Sequence, residues 1–153
     1  MAKDLLHPND DLLWKTFQAG DESAFAQLYD RFMPGLYSYG MKIARDEAVV
    51  RDCIQDLFIS IWNSRENLSK VQSIKHYLNS SLRRELVRRI RRTHPFSQDL
   101  PDSYDFQVTL DAESLQVQEE MSQEQIGQLN VAVQQLPARQ KEALYLRYYE
   151  NLS

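Results

Sequence analysis

Phe25, Leu28, Tyr29, Phe32, Leu36, Tyr39 and Ile43 follow one another at spacings of 3, 1, 3, 4, 3 and 4. An α-helix turns once every 3.6 residues, so this spacing lays seven large apolar side chains along one side of a helix. Similar runs recur along the chain, while the period-2 alternation of a half-buried strand is absent. Only four glycines and five prolines interrupt 153 residues. Long stretches without breakers, together with the apolar period, predict an all-α fold.

Local signals set the expected helix limits. Asp10 to Ala19 reads as a short helix with Leu12, Leu13, Trp14 and Phe17 on its apolar side, stopped by Gly20. Asp21 is a candidate N-cap for the second helix, which Pro34 is expected to kink or split. Asp46 caps a third helix to about Glu66, and Ser73 caps a fourth to about Arg92. Thr93 to Asp111 contains Pro95, Pro101 and several acids without a sustained apolar period, and reads as a linker. A polar helix is expected from about Ala112 to Gln135, with Leu115, Ile126, Leu129, Val133 and Leu136 as its weak apolar side. Pro137 suits the first turn of a last helix carrying Ala143, Leu144, Leu146, Tyr148 and Tyr149. The expected organisation is a helical domain over 1–93, a linker over 94–111 and a second helical segment over 112–153.

Charge is distributed unevenly. The net charge is −4, yet Arg83, Arg84, Arg88, Arg89, Arg91 and Arg92 fall within one decade. From Arg92 to Arg139 there is no Lys or Arg, and the gap holds Asp99, Asp102, Asp105, Asp111, Glu113, Glu119, Glu120 and Glu124. Like charges four apart destabilise a helix by a few tenths of a kcal/mol per pair. Phosphate contact, with release of condensed counterions, would offset that. The fourth helix has an apolar side (Ile74, Tyr77, Leu78, Leu82, Leu86, Ile90) and an arginine side (Arg84, Arg88, Arg91, Arg92). Two readings of the arginine side remain: a nucleic-acid surface, or a solvated face paired to acids elsewhere, including 99–124.

The third helix is also two-sided. Val50, Ile54, Leu57, Phe58, Ile61 and Trp62 form an inward stripe. Asp52, Gln55, Asp56, Ile59 and Asn63 form another side, which suits either docking to a basic partner or simple solvation. Between these helices, residues 67–72 precede Lys75, His76, Tyr77 and Asn79. Polar groups and an aromatic beside a basic stripe can hold an unstacked base, and an ordinary connecting loop would look the same.

Nothing in the sequence makes a catalytic case. His7, His76 and His94 lie far apart, with no metal-ligand spacing. There is no Gly-rich phosphate loop and no GxSxG elbow. The single Cys53 sits among apolar neighbours and reads as core. No apolar run approaches the roughly 20 residues of a membrane span. These features lead us to expect a cytoplasmic protein with no cofactor, no bound metal and no membrane association.

The ordered set of segments resembles the sigma-70 superfamily of RNA polymerase sigma factors, in particular its extracytoplasmic-function (ECF) branch. Asp21-Glu22-Ser23-Ala24-Phe25-Ala26-Gln27-Leu28-Tyr29 looks like the opening of that family's region 2. Arg51-Asp52-Cys53-Ile54-Gln55-Asp56-Leu57-Phe58-Ile59-Ser60-Ile61-Trp62 looks like its central helix. Ile74 to Arg92 looks like the helix that melts and reads the −10 element. Leu136-Pro137 and Leu144 to Ser153 look like the start of region 4. The resemblance implies a dissociable subunit of core RNA polymerase that recognises promoter DNA and opens the strands. Asp52, Gln55, Asp56, Ile59 and Asn63 would then dock the clamp helices of the largest polymerase subunit. Leu68, Ser69 and Lys70 would line a pocket for a flipped base. Lys75, His76, Tyr77, Asn79, Ser80, Arg83, Arg84, Arg88, Arg91 and Arg92 would face DNA. An anti-sigma factor is a further implied partner. The chain departs from the family in carrying Asp56 for the usual Glu, Tyr77 where Trp is frequent, and Arg84 and Arg88 where Asn and Asp are frequent. The region 4 helix-turn-helix that reads the −35 element is missing, so a truncated form is expected.

Overall fold

The structure is a computed structural model that describes residues 10–68, 71, 73–93, 106 and 122–148. The described residues form six α-helices and a short 3-10 turn, with no strand. The chain divides into two compact units, Met1–Gln98 and Asp99–Ser153.

In the first unit, α1 (Asp10–Gln18) buries Leu13, Trp14 and Phe17. Leu12, expected on the same apolar side, points outward and is 66% exposed. Gly20, at φ +96°, takes the left-handed conformation that ends the helix. Asp21 then caps α2 (Glu22–Ala44), its carboxylate accepting the Ala24 N–H at 3.0 Å. Pro34 lies inside α2 and does not split it. The apolar residues on either side of the proline, Leu28 and Leu36, are both buried. Packing therefore holds the helix through the missing hydrogen bond, whose loss is the proline's local effect.

Asp46 caps α3 (Glu47–Asn63) by accepting from the Ala48 and Val49 N–H groups. Such a cap contributes about 1 kcal/mol. The helix stops at Asn63, short of the expected Glu66. Ser64 follows it, and Arg65–Asn67 tighten into the 3-10 turn. α4 (Ile74–Thr93) starts where the Ser73 hydroxyl accepts the His76 N–H at 3.2 Å.

α2, α3 and α4 pack on one another, and α1 packs on α2 and reaches the 3-10 turn. Leu28, Leu36, Tyr39 and Ile43 of α2, Val50, Cys53, Ile54, Phe58 and Ile61 of α3, and Ile74, Leu78, Leu82 and Leu86 of α4 are buried. Full burial stabilises by about 1.5–3 kcal/mol for each large side chain. At the α1 end the core is aromatic. Phe25 sits 5.1 Å from Trp62 and 6.0 Å from Phe58, while Trp14 meets Phe17 at 5.2 Å and Tyr77 at 6.0 Å.

The second unit contains α5 (Gln123–Gln134) and α6 (Ala138–Tyr148). Ser122 is an extended N-cap, and it and Gln125 bond each other's backbone N–H groups in a capping box. Of the helix expected over 112–135, the described part begins at Gln123 because Ser122 is extended, and 112–121 lie outside the described residues. The Pro137 carbonyl accepts the first bonds of α6, from Gln140 and Lys141. Val133 and Tyr145 are buried. Phe106, within the segment read as linker, is fully buried and meets Tyr145 edge-on at 5.6 Å. An isolated aromatic has no periodicity, so its burial leaves no mark in the sequence. The expected apolar residues Leu115 and Tyr149 lie outside the described residues.

Candidate docking and nucleic-acid interfaces

α4 presents its charges outward because Ile74, Leu78, Leu82 and Leu86 recur at helical spacing on the opposite side. His76, Arg84, Arg88, Arg91 and Arg92 are exposed; Lys75, Tyr77, Ser80 and Arg83 are half-buried. Asn79 does not join this face. It is 3% exposed and lies inward among the core residues, a correction to its expected place at DNA. It precedes Leu82 by three positions and follows Leu78 by one, which carries it to the buried side. Tyr77 stands edge-on to Trp14, so its ring is partly committed to the core.

The arginines of α4 are not equivalent. Arg88 donates to both Glu85 oxygens, at 2.7 and 2.6 Å. That bond is the main reason the Glu85 carboxyl titrates below its usual range, with Arg89 adding to it against partial burial. Among the described residues, Arg84 reaches only the Ser81 hydroxyl, at 3.4 Å. Arg91 and Arg92 make no ion pair among the described residues. Three guanidinium groups are thus available on one helix side for polyanion contact, and Arg88 is shared with an acid.

Arg89 behaves differently. Its side chain is 23% exposed and turns towards α3. Nη1 donates to Asp52 Oδ2 at 2.6 Å, Nη2 to Asp56 Oδ2 at 2.6 Å, and Nε to Glu85 Oε1 at 3.1 Å. These bonds, that to Asp52 foremost, push its already high pKa upward. The sequence contained both halves of the contact, since Asp52 and Asp56 stand four apart and Arg89 flanks the Leu82–Leu86 stripe. Which arginine would meet them depended on how α3 and α4 pack.

The outer side of α3 exposes Asp52, Gln55, Asp56, Ile59 and Asn63 together. Ile59 is 50% exposed, an apolar centre in a polar surround. The inward side keeps Cys53 fully buried, and that burial pushes its thiol up to about 11.

Of the expected base-pocket residues, Ser69 and Lys70 lie outside the described residues. Leu68 is half-buried, and its carbonyl accepts from Gln18 Nε2 at 2.8 Å. The same nitrogen donates to the Arg65 carbonyl at 3.1 Å. Arg65 lies over the Trp62 ring, 4.3 Å from its centroid, and donates to the Trp62 carbonyl. Gln18 thus ties the end of α1 to the segment entering the loop. Sequence reasoning missed it, because a polar residue at a helix end carries no pattern of its own.

Among the described residues, no cluster of three or more His, Cys, Asp or Glu is placed to hold a metal ion, and no helix is long and apolar enough to cross a membrane. His7 and His94 lie outside those residues. Residues 28–95, which take in most of α2 and all of α3 and α4, match the family described as sigma-70 region 2. The match covers 68 of the 153 residues and places a segment like sigma-70 region 2 within the first unit. It is similar to the ECF RNA polymerase sigma factor SigX of Bacillus subtilis (strain 168), at 23% identity over 134 residues, covering 86% of this chain and 69% of SigX. Both similarities are to sigma factors.

Proposed function

We propose that this chain is a sigma factor that divides its two binding tasks, to core RNA polymerase and to promoter DNA, between adjacent helices. The outer side of α3 docks a basic surface of core polymerase, namely the clamp helices of the largest subunit. The outer side of α4 holds promoter DNA at the −10 element. The observation that carries this reading is the pairing of two exposed faces of opposite character on helices that pack together. Asp52, Gln55, Asp56, Ile59 and Asn63 lie on one, and Arg84, Arg88, Arg91 and Arg92 on the other. Charge complementarity steers each towards its own partner and suppresses the exchange of partners. Lys75, His76, Tyr77, Ser80 and Arg83, at the near end of α4, extend the DNA face towards the loop at Leu68–Lys70, where an unpaired base would be held. We assign the segment 112–153 to the start of region 4 and place the protein in the cytoplasm with its polymerase. An anti-sigma factor would have to cover one of these two faces.

The test is a core polymerase binding measurement on Gln55→Arg with Ile59→Arg. This pair puts two cations on the α3 face and leaves Asp52, Asp56 and Arg89 untouched. Polymerase affinity should fall by about tenfold or more, as like charges do at an interface. Affinity for bare DNA should hold or rise slightly. Unchanged polymerase affinity rules out docking through this face.

A further inference from the structure

We propose that Arg89 is a positioning residue for polymerase docking: it spans Asp52 and Asp56 and holds the two carboxylates ready for the partner's cations. The inference rests on the docking role proposed for α3. Two aspartates one turn apart on an exposed helix side repel each other and rotate freely. Here each gives one oxygen, Oδ2, to a different terminal nitrogen of the same guanidinium. Their Oδ1 atoms take no part in the bridge, and the side chains remain 59% and 55% exposed. A partner cation can therefore reach both carboxylates while the bridge stands.

The charge balance favours adding a cation over exchanging one. Among the described residues, Asp52, Asp56 and Glu85 supply three negative charges to the cluster and Arg88 and Arg89 two positive, one net negative charge. Arg89 thus fixes the carboxylates without abolishing their attraction for a basic surface. Ordering side chains before the encounter removes part of the entropy cost of binding. The role calls for the planar fork of arginine. An ammonium group is a point charge and cannot address three acids from three fixed nitrogens. Its partial burial also sets Arg89 apart from Arg91 and Arg92, which lie open on the DNA side.

The experiment measures core polymerase binding, bare-DNA binding and the thermal midpoint for the full chain and its variants. Arg89→Lys keeps the charge and the stem and should weaken polymerase binding by about fivefold, the size of a modest coupling between neighbouring groups. Arg89→Met should weaken it at least as much. Bare-DNA affinity and its salt dependence should stay close to the parent's. In an Asp52→Asn, Asp56→Asn background, Arg89→Lys should have no further effect on polymerase binding, because nothing is left to position. Unchanged or tighter polymerase binding in Arg89→Lys overturns the proposal; a tighter complex would mean that Arg89 competes with the partner. An equal loss in the asparagine background also overturns it, since that marks a purely structural contact. If the asparagine pair alone leaves polymerase binding intact, the docking role of α3 fails. If that pair weakens binding and Arg89→Lys does not, only the role of Arg89 fails. Should Arg89→Met not fold, the Arg89→Lys comparison decides.

Discussion

Gly40 of α2 and Val50 of α3 approach so closely that a Cβ at position 40 would stand 2.7 Å from Val50 Cγ1. Leu86 and Leu82 of α4 would lie 3.4 and 3.5 Å from the same atom. At Gly40, α2, α3 and α4 therefore pack with no room for even a methyl side chain. Gly40→Ala should destabilise the unit by about 1–3 kcal/mol, the usual effect of overpacking, despite alanine's better helix propensity. Chemical denaturation will read the loss. Val50→Ala in the same chain should recover part of it, while adding the loss from its own smaller side chain. A stabilised Gly40→Ala would show that the helices can separate without cost.

On the face proposed to meet DNA, Arg84, Arg91 and Arg92 are the arginines without an acidic partner among the described residues. Arg84→Ala with Arg91→Ala should reduce the slope of log K against log salt by about 0.9 for each phosphate that is no longer neutralised. Filter binding or fluorescence anisotropy across a salt series will measure it. An unchanged slope would mean that neither side chain meets a phosphate.

Glu85 restrains Arg88 and Arg89, so Glu85→Gln should raise DNA affinity by releasing Arg88. It also has a signature in acid. The Glu85 carboxyl titrates below its ordinary value of 4.5, chiefly through its hydrogen bond from Arg88. A depressed carboxylate stabilises the fold above its unfolded value, and this contribution is lost as pH falls through the folded one. The parent should therefore lose stability as pH drops below about 4.5, and Glu85→Gln should show a shallower decline from a lower starting point. Thermal midpoints from pH 7 to pH 3 will compare the two. Parallel curves would mean that Glu85 contributes no such linkage.

Cys53 offers a probe of core opening. The thiol is fully buried and pushed up to about 11 by that burial. Since the thiolate is the reactive form, alkylation of the folded protein at pH 8 should be far slower than that of the denatured chain. It is the chain's single cysteine, so mass spectrometry will follow one modification. Equally fast labelling in both states would show that α3 detaches readily from α4.

Phe106 and Tyr145 give the second unit a small core of its own. Phe106→Ala should destabilise that unit by about 3–5 kcal/mol, the usual range for removing a buried aromatic. Hydrogen exchange should report faster opening of α6, with α3 protected as in the parent. Unaltered exchange in α6 would mean that Phe106 contributes nothing to its stability.

The sequence by itself determined the helical class, the order of the helices, and the capping roles of Asp21, Asp46 and Ser73. Those features depend on periodicity and on hydrogen bonds within a few residues, which neighbours in the chain decide. It also determined that α4 carries an arginine side and α3 an acidic one, since a helix with an apolar stripe must turn its other residues outward. The tertiary structure decided what no local pattern could. It took Asn79 into the core and left Leu12 outside it. It buried Phe106 within a stretch read as linker, set Gln18 on the carbonyls of Arg65 and Leu68, and chose Arg89 from six arginines to meet Asp52 and Asp56. Each of those outcomes depends on the rotation and distance of one helix against another. That geometry is set by packing between residues tens of positions apart, and the spacing of residues along the chain does not encode it.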